Sequence, residues 1–151
     1  MDFLLNFYSF GVFLTFSDID FYSLSCFYEA GKRNNINPVV LLSIAKVESN
    51  LRKNAINKNA NGTYDIGIMQ VNSFWLKRYK FTPQYISHSC TNIYFGAYIL
   101  KQCFDRFGYS WKGIDCYNKG LKAKHNSRYV MKVKKEMENF LNITTQAFWN
   151  Y

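Results

Sequence analysis

Histidine is scarce in this chain: His88 and His125 are the two residues, and neither belongs to an H-E-x-x-H pattern. Cys26, Cys90, Cys103 and Cys116 include no C-x-x-C pair. These shortages exclude a zinc site and a thioredoxin-like redox motif, so the sequence implies no metal and no cofactor. There is no Walker-type phosphate loop and no aromatic-basic signature of a nucleic-acid module, so no nucleic-acid partner is expected. Acid is also in deficit, with ten Asp and Glu against nineteen Lys and Arg, a formal charge of +9. That balance points to a polyanionic partner, and on charge alone nucleic acid, anionic lipid and bacterial cell wall all qualify. No internal repeat or linker divides the chain.

What is present is apolar and aromatic. Hydrophobic residues make up 48% of 151, and 19% are aromatic, which allows one domain with a sizeable core and excludes a disordered tail. Residues 1–17 form an apolar run (Phe3, Leu4, Leu5, Phe7, Phe10, Val12, Phe13, Leu14) too short for a comfortable membrane span. A secretory signal is expected there, followed by a domain over 18–151 with no stable membrane span, although only Met1 and Asp2 precede the run and the usual positive flank is missing. Export to the periplasm or cell envelope fits four widely spaced cysteines, which read as two disulfides. Three connectivities are open on spacing alone.

The rest of the chain is organised around 38–50, which predicts a buried helix capped by Asn37 with Pro38 at its first position. Leu41, Ile44, Ala45 and Glu48 recur at spacings of three and four, so a carboxylate ends an apolar row. Partial desolvation raises the pKa of such an acid, which suits a general acid near neutral pH. A helix starting at Asp18 or Asp20 and running to about Lys32 precedes it. Residues 51–63 read as a loop over the cleft edge, and 64–72 as a short strand or extended segment broken by Gly67. A short helix over 74–79, capped by Asn72 or Ser73, and a turn at Pro83 follow. A long helix capped by Thr91 or Asn92 stops at Gly108. Ser110 caps a segment ending at 117–120, and a last helix runs from about Ser127 to Leu141.

Three blocks, Val47-Glu48-Ser49-Asn50, Gly67-Ile68-Met69-Gln70 and Tyr117-Asn118-Lys119-Gly120, resemble in order and spacing the signatures of lytic transglycosylases. The likeness is to the small single-domain members that accompany secretion, conjugation and pilus machines. It implies a mainly helical, lysozyme-like α+β domain with a substrate cleft, peptidoglycan glycan strands as substrate, and such machinery as partner. In that reading Glu48 is the catalytic acid. Ser49 sits beside it as a hydrogen-bond partner, Gly67 lets the backbone approach the sugar, and Met69 lines the apolar floor. Gln70 offers an amide to hydroxyl or acetamido groups, Tyr117 bonds near Glu48 or the sugar, and Asn118 fixes the bend at Gly120. The resemblance also implies a Cys26–Cys90 disulfide, which leaves Cys103–Cys116. A second stretch, from Glu48 to Trp75, is similar to animal-type lysozymes, where the Asp of this segment is the second catalytic carboxylate, here Asp65. The alternatives are therefore a muramidase using Asp65 and a non-catalytic wall-binding assembly factor.

Overall fold

In a computed structural model the described residues are 19–149, with side chains described to 141. The expected signal over 1–17 lies outside them. Helix α1 (Phe21–Asn34) begins where Asp20 accepts the Ser23 amide, and it ends on Asn35 in the left-handed region. Helix α2 (Pro38–Ser49) is capped by Asn37, with Pro38 in its first turn. Leu41, Leu42 and Ile44 are fully buried, which puts α2 at the centre of the core with its C-terminal turn emerging at the surface.

The stretch expected to be a loop after α2 contains β1 (Ile56–Lys58), which pairs antiparallel with β2 (Tyr64–Ile66). β2 in turn pairs with β3 (Val71–Asn72). Its side chains are all exposed, so β1 carried no apolar alternation to mark it as a strand. Register places Asn57 opposite Asp65 and Asp65 opposite Asn72, a polar row across the sheet.

Helices α3 (Ser73–Tyr79) and α4 (Pro83–Ser87) lead to α5 (Ser89–Phe107), which ends at Gly108. The start of α5 corrects the sequence reading, since neither Thr91 nor Asn92 caps it. Asn92 lies inside the helix, fully buried, and its amide serves another segment. Helix α6 (Trp111–Lys119) and a single 3-10 turn (Gly120–Lys122) precede α7 (Arg128–Trp149), longer than expected. α5 packs on α1 and α6, and α7 packs on α2. Disulfides Cys26–Cys90 and Cys103–Cys116 fasten α1 and α6 to α5. No helix among the described residues is long and apolar enough to cross a membrane.

Candidate active site

Between the small sheet and the face of α5 lies a cleft of about 670 Å³, and Glu48 at the end of α2 forms part of its wall. Asp65 and Asn72 line it from the sheet, Gln70 from the turn between β2 and β3, Trp75 from α3, Gln102 and Arg106 from α5, and Tyr117 and Asn118 from α6. The Cys103–Cys116 disulfide contributes to the same surface.

Glu48 is half-buried, and burial pushes its carboxyl up to about 7. The Tyr129 hydroxyl donates to Glu48 Oε1 at 2.6 Å and opposes the rise by favouring the charged form, while the Asp65 carboxylate adds to it. Tyr129 itself is buried in the first turn of α7, and burial followed by the Glu48 charge holds its phenol well above its ordinary value. The phenol therefore stays a donor throughout the working range. Nothing in the sequence marked Tyr129 for this role, because it comes from a helix 81 residues away.

Its position depends on a second buried group that sequence reasoning missed. Asp115, fully buried on α6, accepts from the Ser127 hydroxyl and from the Lys124 amide, the latter at 2.7 Å. Ser127 Oγ then accepts the Val130 amide at 3.1 Å. The connection from α6 is thus tied down where α7 begins, two residues before Tyr129. An Asp between the apolar Ile114 and Cys116 was the available signal.

Asp65 is held from both sides of the polar row. Asn72 donates to its Oδ1 at 2.8 Å and Asn59 to its Oδ2 at 2.9 Å. The two amides orient the carboxylate on the cleft wall, where its charge acts on Glu48.

The turn between β2 and β3 explains the second block. Gly67 has φ of 80°, and a Cβ there would stand 2.4 Å from Asn92 Nδ2. The missing Cβ leaves that space to the Asn92 side chain. Asn92 Oδ1 accepts the Met69 amide at 2.8 Å, while its Nδ2 donates to the carbonyls of Ile66 and Ile86 at 2.7 and 3.0 Å. Met69 is fully buried against Gly96, where any Cβ would lie 2.8 Å from the Met69 side chain, so it packs beneath the cleft floor. Ser49 is not a partner of Glu48 either. It is 2% exposed and donates to the Ile68 carbonyl at 2.7 Å, pinning the end of α2 to the turn.

Gln70 does reach the cleft, yet its amide is engaged by protein: it donates to the Gly67 and Ala55 carbonyls and accepts from Asn57 at 2.6 Å. That bracing supports a non-glycine residue at φ of 52°. Tyr117 donates to the Met69 carbonyl at 2.7 Å and so joins the third block to the second. Asn118 is exposed on the cleft rim. The three blocks therefore converge, with Glu48, Asp65, Gln70, Tyr117 and Asn118 on the cleft and Ser49, Gly67 and Met69 behind it.

The sequence from 25 to 140 matches the model of the Transglycosylase SLT domain. The chain is 35% identical over 119 residues to the invasion protein IagB of Salmonella typhimurium strain SL1344, covering 76% of this chain and 74% of that protein. It is 32% identical over 129 residues to the protein IpgF of Shigella flexneri, covering 83% and 85%. It is 38% identical over 105 residues to the X polypeptide of Escherichia coli K12, covering 67% and 62%.

Proposed function

The chain belongs to the Transglycosylase SLT domain family, and from that premise we propose that it is a peptidoglycan lytic transglycosylase cleaving the link between N-acetylmuramic acid and N-acetylglucosamine. One observation carries this reading: a half-buried Glu48 on the cleft wall, titrating near 7 and hydrogen-bonded by a phenol. In the first step Glu48 delivers its proton to the bridging oxygen as that oxygen leaves the muramoyl anomeric carbon. The acetamido group of the substrate stabilises the resulting cation, so no protein nucleophile is needed. In the second step the muramoyl C6 hydroxyl bonds to the anomeric carbon while Glu48, now the base, takes its proton. Water is not consumed and the acid is regenerated.

A carboxyl near 7 is suited to both halves of that cycle, since neither protonation state is strongly disfavoured at neutral pH. Buried Tyr129 donates to the negative charge that develops on Glu48 as its proton leaves. Chain export, an envelope location, and action where a secretion, conjugation or pilus apparatus crosses the wall belong to the same proposal. The two disulfides and the basic charge support the location, and the name invasion protein carried by the Salmonella relative supports the setting.

Asp65 favours a second reading, muramidase-type hydrolysis, because it lines the same cleft and is oriented by two amides. The products separate the two. Digestion of purified peptidoglycan followed by mass analysis of the sugar ends yields anhydro-muramoyl termini under the proposal, one water lighter than reducing ends. In that case Asp65→Asn slows cleavage modestly, through loss of the Asn59 and Asn72 contacts. Reducing ends together with near-complete loss of activity in Asp65→Asn would establish hydrolysis instead.

A further inference from the structure

The face of α5 that lines the cleft does not end with the cleft. Arg106, Gln102, Tyr98 and Tyr94 follow at intervals of four, so they lie along one side of the helix over about 18 Å at 1.5 Å per residue. Arg106 and Gln102 belong to the cleft wall, whereas Tyr98 and Tyr94 line a separate groove of about 210 Å³ with Phe81, Tyr85, Thr91 and Phe95. A second path joins the two. Phe74 and Trp75 are cleft residues, Trp75 lies tilted against Tyr79 with ring centroids 6.0 Å apart, and Tyr79 stacks on Phe81 at 5.9 Å. Phe81 in turn lies 5.1 Å from Tyr85. The Tyr79 and Tyr98 hydroxyls are 3.2 Å apart, closing the two paths into one surface.

That surface is unusual for its exposure. Tyr85 is 54% exposed and Tyr98 41%, although aromatic rings of this size gain free energy by burial. Their chemistry matches a pyranose. The ring face is electron-rich and apolar, complementary to the C–H face of a sugar, and the phenol supplies a donor and an acceptor for its hydroxyls. Arg78 and Lys80, both exposed on the same short segment, add positive charge for a wall polymer that carries carboxylates. The rings are set at different angles, with Tyr79 edge-on to Tyr98 and Phe81 tilted against Tyr85, so the surface offers a sugar polymer both ring faces and ring edges and needs no fixed register.

We infer that the Tyr79, Phe81, Tyr85 and Tyr98 surface, bordered by Tyr94 with the Arg33 guanidinium over its ring, is a second glycan-binding site that holds a wall strand beyond the cleft in continuation of it. The inference rests on the peptidoglycan reading above and extends it: the site selects long strands over short fragments. A strand engaged at both places pays the entropy of association once, so affinity grows with length past the reach of the cleft.

The test uses the full chain carrying Glu48→Gln, so that binding is measured without turnover. Affinity is determined by calorimetry for peptide-stripped glycan strands of two lengths, one short enough for the cleft alone and one several disaccharides longer. In the Tyr85→Ala, Tyr98→Ala double variant the ratio of long-strand to short-strand affinity falls by about tenfold. A Tyr85→Phe, Tyr98→Phe variant, which keeps both rings, retains most of the ratio, and circular dichroism verifies that each variant is folded. A ratio unchanged in the alanine variant would overturn the inference and leave these rings to a protein partner. Failure of the parent chain to bind either strand would overturn the peptidoglycan reading and this site with it.

Discussion

Glu48→Gln separates the cost of holding an acid in the cleft from the chemistry that acid performs. A carboxyl titrating near 7 in the folded chain against an ordinary value of 4.5 binds its proton more tightly when folded. Its favourable contribution is complete below about pH 4.5 and is lost as pH rises through 7, where the buried group must ionise. The loss amounts to about 3 kcal/mol at pH 8, at roughly 1.4 kcal/mol for each tenfold change in proton affinity. Gln preserves the shape and an oxygen acceptor for the Tyr129 hydroxyl, and it never ionises. The variant is therefore expected to match the parent in stability at pH 4 and to exceed it by about 3 kcal/mol at pH 8, a rise in Tm of roughly 10 °C for a domain of this size. Denaturant unfolding at the two pH values measures this, and peptidoglycan cleavage should fall by about a thousandfold or more in the same protein. Equal stabilities at pH 8, or a difference independent of pH, would refute the claim that Glu48 is desolvated. Near-normal cleavage would remove it as the acid.

Tyr129→Phe deletes the donor that favours ionised Glu48, a hydrogen bond to a charged group worth about 1.5–3 kcal/mol. The carboxyl then titrates about one to two pH units higher, and the alkaline limb of kcat/KM moves up by that amount. A limb that stays in place, or moves to lower pH, contradicts the assignment. Gly67→Ala forces a Cβ against the Asn92 side chain at a positive φ and should lower stability by about 2–4 kcal/mol, read from urea unfolding. Asp115→Ala leaves the Ser127 hydroxyl and the Lys124 amide without their acceptor. A loss of about 2–4 kcal/mol in stability is expected. At a temperature where the variant is still folded, kcat should also fall because Tyr129 is no longer held in place. Full activity there would show that the connection before α7 does not position the phenol.

The helices around Glu48 were legible because their information is local. Asn37 and Pro38 start α2 through groups adjacent in sequence, and Leu41, Ile44 and Ala45 define its buried side by a period that any helix imposes. Glu48 ends that row, so its desolvation was readable before any neighbour was known. The blocks at Gly67 and Tyr117 were legible as likenesses, but their physical roles were not. Gly67 is required by Asn92, which looked like a helix cap and is an internal brace, and Ser49 holds a carbonyl of the turn rather than the acid beside it. β1 escaped notice because an exposed polar strand has no apolar period and is stabilised by pairing with a segment eight residues on. Tertiary structure alone decided which donor meets Glu48, which amides hold Asp65, and that an aromatic row leaves the cleft along α5. Hydrogen bonds across 81 residues and rings gathered from three helices depend on how the chain closes on itself, and periodicity along the chain carries no record of that.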